Sequence, residues 1–142
     1  MSLNKIIVVI PTYNNPKTIA NVAKDVIENG HELIIVDDGS TDDSCSVIES
    51  IKDPRIKLYR LEQNEHISHA TNYGFQKVTG AYLARIDSDD VWYPQKLSLI
   101  EQAFLQNPQM GGVFTNADIV DQNLQPLGYS LWDVTHFGKE EQ

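Results

Sequence analysis

A chain of 142 residues, 41% hydrophobic and 22% charged, has the composition of one globular domain, long enough to bury roughly 68% of its unfolded surface, which excludes a disordered or fibrous protein. The formal charge of −9 argues against a nucleic-acid partner, since neutralising phosphates takes clustered Lys and Arg. Its longest apolar run, Ile6 to Ile10, falls far short of the roughly 20 residues that span a bilayer, and no secretory leader is visible. A single cysteine, Cys45, rules out an internal disulfide and suits a reducing compartment, so a cytoplasmic location is expected, with Cys45 as an apolar filler on a helix.

Met1-Ser2-Leu3 reads as a short leader, after which Lys5 to Ile10 is a β-branched run closed by Pro11, the pattern of a strand buried on both faces. From Pro16, apolar residues at Ile19, Val22, Ala23, Val26 and Ile27 fall three and four apart, which predicts a helix stopped by Asn29-Gly30. Glu32 to Val36 is the second strand, and Ser40 or Thr41 is placed to cap a helix turning Cys45, Ile48 and Ile51 inward. Ile56 to Leu61 alternates apolar and polar residues, as a strand near a sheet edge does. A stripe through Ile67, Ala70, Thr71, Gly74, Phe75 and Val78 predicts a third helix ending at Gly80, and Ala81 to Ile86 is the fourth strand. Pro94 suits the first turn of a helix carrying Leu97, Ile100, Phe104 and Leu105 to Asn107-Pro108. Val113 to Thr115 and Ala117 to Val120 form a fifth strand region, with a turn over Asp121 to Pro126 and a returning strand to Leu131. Strands alternating with helices imply right-handed crossovers and an α/β fold, a mostly parallel sheet flanked by helices.

Two of these strands end in carboxylates. The second leads into Asp37-Asp38-Gly39-Ser40-Thr41-Asp42-Asp43 and the fourth into Asp87-Ser88-Asp89-Asp90. Three carboxylates within four residues repel one another unless a cation or dense hydrogen bonding compensates, which favours a hard divalent metal. Ligands of open α/β sheets bind outside the carboxyl ends of the strands, so both clusters are expected to face one crevice. A bound cation there would let an anionic, phosphorylated ligand enter beside the carboxylates.

Ile7-Val8-Val9-Ile10-Pro11-Thr12-Tyr13-Asn14, Ile35-Val36-Asp37-Asp38-Gly39-Ser40-Thr41-Asp42 and Ile86-Asp87-Ser88-Asp89-Asp90, in this order and at this spacing, resemble the family 2 glycosyltransferases of the GT-A fold. Asn72-Tyr73-Gly74 resembles the family's Asn-x-Gly helix. The resemblance spans about residues 5 to 120 and implies the Rossmann-like fold of nucleotide-diphospho-sugar transferases. It further implies a nucleotide-diphosphate sugar donor, Mn2+ or Mg2+ as cofactor, a saccharide or lipid-linked acceptor, and inversion at the anomeric carbon. Carried over by position, Pro11 and Tyr13 would line the base pocket and Asp38 would accept a hydrogen bond from the nucleobase, with Asp37 in support. Asn64 opens a loop along the nucleotide. Asp87, with its neighbour Ser88, would contact the ribose or a metal-bound water, and Asp87 and Asp89 would hold the metal that bridges the phosphates, with Asp90 orienting them. The family's catalytic base lies in a later segment, which is not recognisable here. Residues 1–142 are therefore expected to be one nucleotide-sugar-binding domain that stops before the acceptor segment, cytoplasmic or peripheral at the inner membrane face in a longer protein.

Other residues carry competing readings. Arg85 departs from the apolar residue common in the family, and suits an ion pair with a nearby carboxylate. His66 and His69 could bind metal only from one helical face; His66, where relatives often have a small loop residue, could instead meet the donor. Thr71 stands where many members have an arginine, Trp92 and Tyr93 suit packing better than sugar stacking, and His136 lies in no recognisable motif. Two other functions stay open. A nucleotidyltransferase usually begins with a glycine-rich loop, where this chain has Pro-Thr-Tyr-Asn, and a non-catalytic sugar-nucleotide-binding module would retain the pocket without the base.

Overall fold

The computed structural model describes residues 5–131, so Met1-Ser2-Leu3 and His136 lie outside the described residues. Two compact units form, one through Pro94 and one from Gln95 onward. In the first, β1 (Ile6–Thr12), β2 (Glu32–Asp37), β3 (Ile56–Arg60) and β4 (Tyr82–Arg85) make a parallel sheet in the order β3-β2-β1-β4. Val8, Val9, Ile10, Leu33, Ile35 and Val36 have no exposure at all, which is why the two central strands read as continuous apolar runs. β3 stands at a sheet edge, as its alternation predicts.

Three helices cover this sheet: α1 (Ile19–Glu28), α2 (Ser44–Ser50) and α3 (His66–Gln76). The inward stripe of α1 is Ile19, Val22, Ala23, Val26 and Ile27, as spaced in the sequence. Right-handed crossovers out to β3 and back to β4 put α3 on the face opposite α1 and α2. On that face Ala70 packs with Ile7, Val9, Ile34 and Val36, and Tyr59, Leu61, Tyr73 and Val78 close the rim. Gly74 makes this approach possible, because a Cβ there would lie 2.5 Å from Val9 Cγ1 and 3.1 Å from Val36 Cγ2.

Several boundaries differ from expectation. β1 runs past Pro11 to Thr12 because β2 stays in register with it as far as Asp37. α1 begins at Ile19, and neither Ser40 nor Thr41 caps α2; the Ser40 hydroxyl accepts the Asn14 N–H at 2.9 Å, and the helix starts at Ser44. In the second unit α4 (Lys96–Gln106) buries none of its residues, with Leu99 and Leu105 each about three-fifths exposed. β5 (Asp118–Val120) and β6 (Pro126–Ser130) form an antiparallel hairpin. The strand expected at Val113 to Thr115 is absent from the described structure; Phe114 is 99% exposed, so no buried face holds the segment extended.

Candidate functional site

β1 lies between β2 and β4, and its ladders run one step past the regular strands. Asp38 donates its N–H to the Thr12 carbonyl at 2.9 Å, and Ile86 donates to the Val9 carbonyl at 3.2 Å. The two acidic segments therefore flank the end of β1. Between them opens a cavity of about 330 Å³ lined by Pro11, Tyr13, Asp38, Asn64, Asp87, Ser88 and Asp89, the residues expected to touch donor or metal, whereas Asp37 and Asp90, expected in supporting roles, do not line it. Thr12, His66, Ile67 and Ala70 complete the wall.

Each carboxylate is held differently. Asp38 is 3% exposed, and its Oδ1 accepts the Glu65 N–H at 2.9 Å, which ties the β2 end to the loop carrying Asn64. Gly39 permits this closeness: its φ is +75°, and a Cβ there would lie 2.6 Å from the Gln63 carbonyl carbon. Asp37, 1% exposed, does not line the cavity, and its Oδ2 accepts the Ser40 N–H at 3.1 Å. Its Oδ1 has no N–H or O–H donor. Burial, and then the hydrogen bond and charge of that carboxylate, push the Cys45 thiol up to about 11, so Cys45 is a neutral buried filler with a polar side. Asp87 pairs with Arg85, the ion pair expected from the sequence, while Asp89 is exposed.

Ser88 anchors the acidic segment after β4. Its hydroxyl accepts Asn15 Nδ2 at 2.9 Å and its carbonyl accepts the Thr18 hydroxyl at 2.6 Å. Asn15 N in turn donates to Ser44 Oγ at 2.9 Å, and Asn14 Oδ1 accepts the Thr41 N–H at 2.9 Å. The loop after β1 thus braces both acidic segments. Sequence reasoning missed Thr12, Asn15, Thr18, Ile67 and Ala70. The polar pair Asn14-Asn15 after a buried strand is a signal, but only the strand order reveals what it can reach. Trp92 and Tyr93 do not line the cavity. His69 pairs with Glu65 at 3.2 Å while His66 faces the cavity, so the two histidines do not act as a pair.

Among the described residues no group of three or more His, Cys, Asp and Glu side chains is arranged to hold a metal ion. The chain offers two rim carboxylates, Asp87 and Asp89, one of them already sharing an oxygen with Arg85. All-oxygen donors suit a hard cation, and one or two carboxylates completed by ligand phosphates is how Mg2+ is commonly bound, so these residues fit such an ion. No helix among the described residues is long and apolar enough to cross a membrane.

The model of glycosyl transferase family 2 matches residues 7–137. A glycosyltransferase of Nostoc sp. is 38% identical over 125 residues, covering 84% of this chain and 38% of its own length. The Escherichia coli UDP-Glc:alpha-D-GlcNAc-diphosphoundecaprenol beta-1,3-glucosyltransferase WfgD is 29% identical, covering 82% of this chain and 47% of its length. Among solved structures, the Pyrobaculum calidifontis mannosyltransferase PcManGT, in complex with GDP-Man and Mn2+, superposes with a TM-score of 0.69 at 22% identity, over 83% of this chain and 36% of that one. That likeness is one of fold, and the expected GT-A architecture is the one present. The chain spans less than half the length of each of these proteins.

Proposed function

The chain belongs to glycosyl transferase family 2, and from that membership we propose that it is the donor-binding part of an enzyme that moves a sugar from a nucleotide-diphosphate sugar to an acceptor hydroxyl. The observation that carries this reading is that Asp38 and Asp89, from strand ends 51 positions apart in sequence, line one cavity.

Pro11 and the half-exposed Tyr13 offer the base an apolar wall, and Asp38, with Oδ1 taken by Glu65, has Oδ2 left to accept a nucleobase N–H. Asn64 extends that wall. Asp87, steadied by Arg85, is placed for the ribose, and Ser88 holds its two neighbours in a fixed orientation through Asn15 and Thr18. Asp87 and Asp89 would hold Mn2+ or Mg2+, which supplies Lewis-acid stabilisation of the negative charge developing on the departing diphosphate. In the reaction the acceptor oxygen attacks C1 from the face opposite the diphosphate, the C1–O bond to phosphate breaks, and the configuration inverts. The hydroxyl proton passes to a base that we assign to an acceptor-binding segment outside these residues. A polyprenyl-diphosphate-linked saccharide, named for the E. coli relative, is the acceptor class proposed.

Calorimetry with Mn2+ and UDP, then GDP, tests the donor site. One of the two binds, and Asp89→Ala removes that binding. Heat from neither nucleotide would sink the reading in favour of a scaffold.

A further inference from the structure

Resting on the donor-site reading, we propose that His66 binds the diphosphate of the ligand, its imidazole N–H donating to a phosphate oxygen. The cavity wall holds three carboxylates, Asp38, Asp87 and Asp89, and neither lysine nor arginine. His66 is the one lining side chain able to carry positive charge. Arg85, the nearest guanidinium in sequence to the acidic rim, is engaged with Asp87 and does not line the cavity. A diphosphate entering between these carboxylates meets repulsion that one cation at the rim offsets only on its own side.

The backbone holds the same residue in place. His66 has φ +71°, in the left-handed region that side chains occupy less often than the right-handed one. Asn14, Gly30 and Gly39 are the other described residues of this unit with positive φ, and histidine, like asparagine, is among the side chains found there most often. The conformation is locked from both sides: Glu65 N–H is bound by Asp38 at 2.9 Å, and His66 N–H by Asn64 Oδ1 at 3.1 Å. Strain so held at a binding wall is characteristic of residues positioned for a ligand. His66 also opens α3, whose first two turns contribute Ile67 and Ala70 to the same wall, so the positive end of the helix dipole faces the site with it. His69, one turn on, is occupied with Glu65, and His66 makes no side-chain hydrogen bond or ion pair among the described residues.

The test compares the 142-residue chain with His66→Gly and His66→Asn, both of which accept left-handed backbone. Calorimetry with Mn2+ gives the affinity for UDP or GDP, whichever binds, and NMR titration gives that for the matching nucleoside. Both variants should weaken the nucleotide diphosphate roughly tenfold, shift nucleoside affinity by less than about twofold, and leave the melting temperature level or higher. Unchanged diphosphate affinity overturns this inference alone. An equal loss for the nucleoside moves the contact to the base and also overturns it, and a fall in melting temperature in both variants reassigns His66 to structure. If the unsubstituted chain binds no nucleotide, the donor-site reading fails and this inference with it.

Discussion

Asn15 illustrates how little a contact between side chains need resemble a motif to matter. Its amide spans 73 positions of sequence to reach Ser88, and through that serine it orients the carboxylates on either side. Asn15→Ala should weaken metal-dependent nucleotide binding about threefold to tenfold by freeing Ser88, and, since the hydrogen bond of about 1 kcal/mol is already made without ligand, lower the melting temperature by about 2–8 °C. Calorimetry against melting separates the two. Thr12 offers the opposite case: its hydroxyl is buried on the cavity wall without a partner. Thr12→Val removes an unsatisfied group while keeping its volume, so the ligand-free chain should be as stable as before, or more stable by up to about 1 kcal/mol, in chemical denaturation. Carboxylates, Pro11, Tyr13 and Asn64 were legible because their chemistry is local to a strand end. Asn15, Thr18 and Thr12 were not, since their roles are set by partners on other strands.

Helix α3 meets the sheet across Gly74, and the fit there is specific. Gly74→Ala improves intrinsic helix propensity by about 1 kcal/mol, yet its methyl would strike the stiff, fully buried Val9 and Val36. Overpacking of about 1–3 kcal/mol should prevail, read as a lower urea midpoint at unchanged slope. The start of β3 is tied to the end of α1 by Arg55, which holds Asp53 with two nitrogens at 2.9 and 2.7 Å and donates to the Ile27 carbonyl at 2.8 Å. Its hydrogen bonds keep the Asp53 carboxyl down at about 2 against an ordinary 3.8. A carboxyl that releases its proton more readily when folded stabilises above its unfolded value and loses that contribution as acid reaches its folded one. The difference in melting temperature between the chain and Asp53→Asn should therefore be full at neutral pH and shrink between about pH 4 and pH 2. A pH-independent difference would contradict the linkage.

Across the whole molecule burial is uneven. β1 and β2 are almost wholly enclosed, whereas α4 buries none of its residues and the β5–β6 hairpin carries exposed Val120, Leu127 and Tyr129. Hydrogen exchange should accordingly protect the central strands by orders of magnitude more than the hairpin amides, and uniform protection would count against two units of unequal stability. If the proton-accepting base belongs to another segment, turnover by the 142-residue chain should lie roughly 10²–10⁴-fold below that of a complete enzyme; full-rate transfer would place the base within it. What could be known without coordinates was the alternation of strands and helices, the inward stripe of α1 and the acidic strand ends, because hydrophobic period and local side-chain chemistry are properties of contiguous residues, whereas the stripes read for α3 and α4 leave Ile67, Phe75, Leu99 and Leu105 exposed. The order β3-β2-β1-β4, the bracing of Ser88 from the β1 loop and the unmade strand at Val113 to Thr115 were settled by packing. They depend on which strand finds which neighbour, and that choice is made by burial summed over the whole sheet.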